Sequence, residues 1–198
     1  MSSRRTRSNG RASRQQILDA ATQIAAERGY EGTSISAVSK HSGLPASSIY
    51  WHFANKDDLF AALIDDSYGR WLVELGELDD HTDDAVERMY ASLVARPAFV
   101  RLGLMITLEE PASGGREARE RFLEIRGDSL RRLRRVLGHQ HPDLSNDQLA
   151  ELAAMTLALI DGTFVASVAG EQALTSQRLS RAVDWLAWQM IDAAAPTV

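Results

Sequence analysis

Apolar residues recur at intervals of three and four positions along most of the chain, which is the spacing of amphipathic helices. The first series begins near Ser13, which fits a capping box with Gln16, and its apolar face consists of Ile17, Ala20, Ala21, Ile24 and Ala25. No stretch shows the alternation of apolar and polar residues, joined by tight-turn pairs, that is typical of strands. The pattern therefore predicts an all-α protein of about nine helices.

Turn-forming residues divide the first part of the chain into short helices. Thr33 or Ser34 can cap a second helix, which stops at Gly43. Pro45 suits the first turn of a third helix, and Asn55 can cap a fourth. Two short helices joined by a glycine-containing turn form a helix-turn-helix pattern, in which the third helix is the recognition helix.

Longer helices are predicted beyond this region, and their approximate ranges are 83–95, 99–108, 116–137, 146–169 and from 175 onward. Ser145 with Gln148 fits a second capping box, at the start of the eighth helix. This helix is unusually apolar from Leu152 to Val168, which indicates packing partners on more than one side.

The composition is that of a soluble globular protein, with 44% hydrophobic and 25% charged residues. The chain has no cysteine, which excludes disulfides and thiolate metal sites and fits a reducing compartment. No apolar run reaches the ~20 residues of a membrane span. The basic, polar N-terminus also lacks the apolar segment of a secretory signal. We therefore expect a cytoplasmic protein that does not bind membranes.

Charge is unevenly distributed. Through Lys56 there are eight basic and three acidic residues, a net charge of +5, and the chain as a whole carries −5, which leaves −10 for the remainder. Residues 1–12, with four arginines and no apolar periodicity, are predicted to be a flexible basic arm. A basic first quarter on an acidic body favours a nucleic-acid-binding domain joined to a different module.

The segment GLPASSIYWHF, residues 43–53, has the chemistry of a recognition helix. Small residues at its start allow close approach to a DNA groove, and the hydroxyls of Ser47, Ser48 and Tyr50 and the imidazole of His52 can donate to phosphate oxygens. Ile49 and Phe53 are spaced to face the core.

The stretch TSISAVSKHSGLPASSIYWHFANKDDLF, residues 33–60, resembles the DNA-binding signature of the tetracycline-repressor (TetR) family of transcriptional regulators. In that family a Thr or Ser opens the second helix, a Gly occupies the turn, an aromatic-aromatic-His-Phe cluster closes the third helix, and a Lys inside the fourth helix binds phosphate. The resemblance covers roughly residues 13–64. The DNA contacts predicted from the chemistry and the resemblance together are Thr33, Ser34, Lys40, Ala46, Ser47, Ser48, Tyr50, Trp51, His52 and Lys56.

The recognition helix departs from the family pattern in a way that affects base reading. Pro45 stands where the family often has Ser, Ala46 where a basic or polar residue is frequent, and Ser47 where Gly is frequent. No Arg or Lys lies between Leu44 and Phe53, so this helix cannot read guanine by bidentate hydrogen bonds. Specificity has to come from hydroxyl and aromatic contacts, from Lys40 or the arginine arm, or from DNA shape.

The resemblance implies a domain organisation and a homodimer. The predicted domains are the arm at 1–12, the helix-turn-helix domain at 13–57, and a ligand-binding and dimerisation domain at 58–198. Two recognition helices must lie about 34–36 Å apart to enter successive grooves, so a dimerising body is required. The eighth and ninth helices are expected to form a four-helix bundle with a second copy, through Leu159, Val165, Leu179, Val183, Trp185, Leu186 and Trp188.

The resemblance also implies a ligand cavity among the fourth to eighth helices. Apolar walls are expected from Tyr68, Trp71, Met89, Tyr90, Phe99, Met105, Phe122, Met155 and Phe164, with Asp161 as a polar anchor. These residues favour a small apolar or aromatic effector. The predicted function is a ligand-released homodimeric repressor that binds double-stranded operator DNA.

An alternative is an all-helical small-molecule-binding protein or enzyme whose helix-turn-helix is purely structural. Nucleophile-elbow, P-loop and dinucleotide-binding motifs are absent from the sequence, so no catalytic residue and no cofactor is predicted. His139, His141 and Asp143 lie close together, but loop histidines without further ligands are usually solvated, and no metal site is predicted.

Overall fold

The computed structural model describes residues 2–75, 84–95, 98–108, 114–170 and 175–194, without the side chains of residues 2–9, 74, 95, 98, 99 and 194. These ranges form nine α-helices, which confirms the predicted fold class. They are α1 (Ser2–Arg28), α2 (Ile35–Ser42), α3 (Ala46–His52), α4 (Lys56–Leu75), α5 (Ala85–Ala95), α6 (Ala98–Leu108), α7 (Arg116–Gln140), α8 (Asn146–Val168) and α9 (Ser176–Ala194).

The first of two compact units comprises Met1–Arg70 and Ala98–Glu124. In it α1 packs against α2, α3 and α6. Its core contains the apolar face predicted for the first helix and, among other residues, Val38, Ile49, Phe53, Leu59, Phe60, Leu63 and Ile64. Gly103 of α6 lies so close to the ring of Phe122 of α7 that a Cβ at position 103 would overlap the ring. The start of α7 is therefore closely packed on α6.

The second unit comprises Trp71–Pro97 and Ile125–Val198. In it α9 packs against α5 and α8. The Gln148 side chain, at the start of α8, donates to the carbonyl oxygen of Met190 at 2.9 Å, so that α8 and α9 are antiparallel. The core of this unit includes Trp71, Met89, Ile125, Leu133, Leu137, Leu152, Ile160, Leu179 and Val183.

Most helix ends fall where capping chemistry predicts them. The Ser34 hydroxyl accepts from the N–H of Ala37 at 3.1 Å, and the Asn55 side chain accepts from the N–H of Asp58 at 2.9 Å. Ser145 and Gln148 form the predicted capping box. Gly43 has φ 71°, a left-handed conformation that a residue without a Cβ adopts without strain.

The predicted start of the first helix is wrong. α1 begins at Ser2 rather than near Ser13, and it includes most of the segment predicted as an arm. Arginine is a good helix former, and Gly10 is the one residue between positions 2 and 12 with a large helix penalty. Ser13 and Gln16 therefore lie inside α1, where the predicted capping box does not form. Pro45 also differs from prediction, because it is the N-cap of α3 rather than part of its first turn.

The compact units do not follow the predicted boundary between residues 57 and 58. They divide the chain within α4, after Arg70, and within α7, after Glu124. The division at 57 separates expected functions rather than packing units, and it stays a prediction.

Candidate functional site

The α2–α3 turn is fixed by contacts that leave the outer face of α3 free. Ile49, on the inner face of α3, is completely buried. The Ser39 hydroxyl donates to the carbonyl oxygen of Leu44 at 2.7 Å, and the Gln16 side chain of α1 donates to that of Ser42 at 2.7 Å. These two bonds hold the turn to both neighbouring helices. The orientation of α3 is thus set by its inner face, and its outer face is available for a partner.

The outer face of α3 carries the predicted DNA contacts. Trp51 is 76% exposed and Tyr50 is 58% exposed, values that are rare for aromatic side chains without a partner. Ala46 and Ser47 are exposed at the start of the helix, and Ser48 is half-buried. Small residues at one end and two exposed rings at the other form a surface suited to a groove and its phosphate walls.

His52 lies at the edge of this surface, next to α1. Its ring meets that of Trp51 edge-on, with centroids 4.6 Å apart. Burial, with a smaller contribution from the Arg14 guanidinium, holds the pKa of His52 below its usual value. Both effects favour the neutral imidazole, which has one N–H to donate.

Helix α1 brings positive charge to the recognition helix. The Arg14 guanidinium lies 5.3 Å from the centre of the Phe53 ring. One turn earlier, a Cβ on Gly10 would lie 3.7 Å from the Trp51 indole, so α1 runs alongside the exposed ring. Arg11, between them in sequence, is exposed. Arg14, and Arg11 one turn before it, thus add positive charge beside the α3 surface as part of a helix.

Lys56 is held in place by three residues at the beginning of α4 and the end of α1. Its ammonium lies 4.0 Å above the centre of the Tyr30 ring and 4.0 Å from a carboxylate oxygen of Glu31. The Asn55 cap fixes the backbone just before it. Since the side chain retains some exposure, this arrangement restricts the ammonium without removing it from solvent.

Three predicted contacts at α2 differ from one another. Thr33 is 1% exposed and donates its hydroxyl to the carbonyl oxygen of Gly29 at 2.8 Å. In the free protein the Thr33 hydroxyl therefore stabilises the turn before α2, and a DNA contact by this side chain stays a prediction. The Ser34 hydroxyl is occupied as the α2 cap but is exposed, and Lys40 is exposed near the end of α2.

Sequence analysis identified neither Tyr30 nor Asp57 as a functional residue. Tyr30 follows the glycine that ends α1. Asp57 lies in the first turn of α4, where an acidic residue favours the dipole of its own helix. In the structure its carboxylate accepts hydrogen bonds from the start of α7, some sixty residues away. Neither the Tyr30–Lys56 contact nor this hydrogen bond has a local sequence signal.

The predicted ligand-binding residues are distributed over both units. Tyr68, Met105 and Phe122 belong to the first, and the second holds Trp71, Met89, Tyr90, Met155, Asp161 and Phe164. The side chain of Phe99 lies outside the described residues. Phe122 is core packed against Gly103, and Met155 is 37% exposed, so neither has the placement expected of a cavity wall.

Polar groups in the second unit are paired with one another. The Trp71 indole donates to the Ser92 hydroxyl at 2.7 Å. The Tyr90 hydroxyl hydrogen-bonds the Thr163 side chain, while burial raises the pKa of Tyr90. Asp161 forms an ion pair with Arg126 of α7. The charge of Asp161, predicted as a polar anchor for the ligand, is thus compensated by Arg126.

The predicted dimer residues separate into an inner and an outer face. Leu179 and Val183 are buried inside the second unit, so their side chains present almost no surface to a second copy in the single chain. They lie on the side of α9 that faces α5 and α8. Trp185 and Trp188 of α9 and Val165 of α8 are exposed, whereas Leu159 and Leu186 are half-buried. The sequence analysis assigned residues from both sides of α9 to the interface without separating the inward side from the outward one.

Comparisons with known proteins agree with this geometry. Residues 17–63 match the family model described as bacterial regulatory proteins, tetR family. The fatty acid metabolism regulator protein of Bacillus subtilis is 28% identical over 176 residues, which are 85% of this chain and 90% of that protein. The regulator AcrR of Shigella flexneri is 37% identical over 60 residues, which are 30% of this chain and 28% of AcrR. Both relatives are named as regulators, whereas the alternative interpretation expected an enzyme or small-molecule-binding protein.

Solved structures of low sequence identity share the fold. A TetR transcriptional regulator from Legionella pneumophila matches with a TM-score of 0.71 at 17% identity, covering 86% of this chain and 94% of that one. The Bacillus subtilis regulator FadR, solved with stearoyl-CoA, matches with a TM-score of 0.62 at 21% identity, covering 91% of this chain and 99% of that one. These matches show that the fold is shared over nearly the whole chain.

Proposed function

Because the chain belongs to the TetR family of bacterial regulatory proteins, we propose that it is a homodimeric transcriptional repressor that a ligand releases from operator DNA. The observation that carries this proposal is the exposed outer face of α3, where Tyr50 and Trp51 project from a helix fixed on its inner side. Lys56 and the arginines of α1 flank that face and supply charge for the phosphate backbone.

DNA recognition by this surface relies on hydroxyl and aromatic groups. The outer face of α3 carries no guanidinium or ammonium group, so the cations sit at its margins, on α1, α2 and α4. The cations at the margins of this face contact phosphates and fix the position of the protein along the duplex. The bases are read by Ser47, Tyr50 and Trp51. Affinity should accordingly fall steeply with salt.

Tyr50→Ala is expected to weaken operator binding by at least about tenfold, because it removes a phosphate hydrogen bond of about 1.5–3 kcal/mol. The measurement is a titration mobility shift with a duplex recovered by in vitro selection. Tyr50→Phe separates the loss of the hydroxyl from the loss of the ring. Val73→Ala, which truncates another exposed side chain, should leave affinity unchanged. Undiminished binding by Tyr50→Ala would contradict the proposal.

A dimer interface formed by the outer faces of α8 and α9 supports two-headed binding. Large apolar residues exposed there are Met155, Val165, Val168, Trp185 and Trp188. Ala154, Ala158 and Gly162 are exposed on α8 between them, and small residues allow close helix approach. A monomer rarely exposes a continuous apolar face of this kind, and a second copy of the same face would cover it.

Helix α8 is also long and apolar enough, by length and composition, to cross a membrane. Seven of its residues are buried within the second unit, and Asp161 in its middle pairs with Arg126. Both features are typical of the core helix of a folded domain. The dimer therefore accounts better for the apolar outer side of α8.

The effector proposed here is an apolar chain such as a fatty acyl thioester. The Bacillus subtilis relative is a fatty acid metabolism regulator, and FadR was solved with stearoyl-CoA. In this chain the polar pairs Trp71–Ser92, Tyr90–Thr163 and Arg126–Asp161 already satisfy one another. A ligand entering among them would be stabilised mainly by apolar contact.

Stearoyl-CoA is expected to release the protein from its operator in a fluorescence anisotropy titration, because a ligand that prefers the free conformation lowers DNA affinity. Free coenzyme A, which lacks the acyl chain, should have no effect. If both compounds leave the complex intact, the acyl effector is excluded while the DNA-binding proposal still stands.

A further inference from the structure

The first turn of α7 is bound to the first turn of α4 through one carboxylate. Asp57 accepts from the backbone N–H of Glu117 at 3.1 Å with one oxygen and from that of Ala118 at 3.3 Å with the other. First-turn N–H groups have no partner within their own helix, and a negative charge there is favoured by the helix dipole. Asp57 thus acts as the N-terminal cap of a helix some sixty positions away.

Two further contacts fasten the same region of α7. The N–H of Gly115 hydrogen-bonds the hydroxyl of Tyr30, and a Cβ on Gly114 would lie only 2.6 Å from that oxygen. Farther along α7, Arg121 bonds the Asp65 carboxylate of α4 at 2.5 Å. Within the first unit, the start of α7 is therefore attached at three points, to Asp57 and Asp65 of α4 and to Tyr30.

The residues that hold α7 also hold Lys56. Asp57 is its neighbour in the first turn of α4, and Tyr30 supplies the ring beneath its ammonium, 4.0 Å away. Tyr30 thus contacts the phosphate-binding candidate with its ring and the α7 loop with its hydroxyl. A displacement of the α7 start would move the Asp57 carboxylate and, with it, the backbone of Lys56.

We propose that Asp57 is a positioning residue that couples the first turn of α7 to the phosphate contact of Lys56. The inference rests on the proposed function, since it takes Lys56 to bind DNA. Helix α7 continues beyond Glu124 into the second compact unit, so that its two ends belong to different units. Coupling between two sites acts equally in both directions. If the position of α7 changes the free energy of DNA binding, DNA binding therefore changes the stability of the α7 position by the same amount.

Hydrogen exchange at the α7 start distinguishes coupling from a merely structural cap. A measurement of DNA affinity alone would not distinguish them, because removing the Asp57 carboxylate beside Lys56 also raises the affinity for phosphates. In the full-length protein, duplex DNA at low salt is expected to slow exchange of the Glu117 and Ala118 amides. At low salt the phosphate contacts alone give sufficient affinity, so any duplex sequence can be used in this experiment. Asp57→Ala should speed their basal exchange about fivefold, the effect of losing a typical cap, and abolish the response to DNA.

Two variants complete the test. Asp57→Asn retains one acceptor oxygen and should retain part of the response, which also covers the case in which Asp57→Ala does not fold. Glu120→Gln removes a charge from the same part of α7 without breaking a contact to α4, since Glu120 pairs with Arg116 of its own helix, and its response should equal that of wild type.

Two results would overturn the inference alone: wild-type protein that binds the duplex with unchanged exchange at 117 and 118, or an Asp57→Ala protein that still responds to DNA. Failure of the wild-type protein to shift any duplex would instead overturn the proposed function, and with it the inference.

Discussion

Trp185→Glu combined with Trp188→Glu is expected to leave the protein monomeric and to reduce its operator affinity by on the order of 10²–10⁴-fold. Both indoles are more than half exposed in the single chain, so replacing them should not disturb the core. In the proposed dimer the two glutamates of each copy would be buried against apolar side chains, where an unpaired charge is strongly disfavoured. A monomer has one α3 and loses the gain from simultaneous binding to two half-sites.

Analytical ultracentrifugation and operator titration on the same samples check this result. Val73→Glu is a suitable control, because Val73 is exposed but lies on α4, outside the proposed interface. Retention of helical circular dichroism by the double variant would show that the loss is one of assembly. A double variant that stays dimeric would exclude this face as the interface.

Gly103→Ala is expected to destabilise the fold by about 1–3 kcal/mol, the usual cost of overfilling a packed core. Alanine is favoured over glycine inside a helix by about 1 kcal/mol, so propensity alone predicts the opposite sign. The overlap of the new Cβ with the Phe122 ring decides the outcome, because the ring is buried and cannot move aside freely. The free energy of unfolding, from urea titration, measures the net effect.

The chain offers a matched control for this substitution. Gly69 also lies inside a helix, but a Cβ there would meet nothing within 4 Å, so Gly69→Ala should be neutral or stabilising. The double variant Gly103→Ala/Phe122→Val should lose less free energy of unfolding than the two single variants combined. The smaller Val side chain makes room for the new Cβ, and the Cβ fills part of the space that the ring leaves. Equal stabilities for the Gly103 and Gly69 variants would contradict the packing argument.

Local chemistry was the part of the fold that sequence predicted best. Ser34, Asn55 and Ser145 cap helices as expected, because the bonds involved span only three residues. The exposed face of α3 was also predicted, since burial of Ile49 determines which side of so short a helix is left outside. Such features depend on spacing alone and need no knowledge of what the helices pack against.

Contacts between distant segments were not predictable. Asp57 and the start of α7 are sixty residues apart, and an acidic residue in a first turn already has a sufficient local explanation. Likewise, Leu179 and Trp185 of α9 were both predicted to lie in the interface, but only packing against α5 and α8 decides which of them is buried. The predicted ligand residues are divided between the two units, and the sequence alone does not separate cavity walls from core, because large apolar side chains serve equally as either.

The attachment of α3 by its inner side separates the residues that stabilise the fold from those proposed to contact DNA. Ile49 and Phe53 anchor the helix, while positions 46, 47, 50 and 51 contribute little to the interior. If these four positions read the operator as proposed, substitutions there are expected to change the preferred DNA sequence while the free energy of folding stays nearly constant. Operator preference could then evolve without compensatory changes elsewhere in the chain.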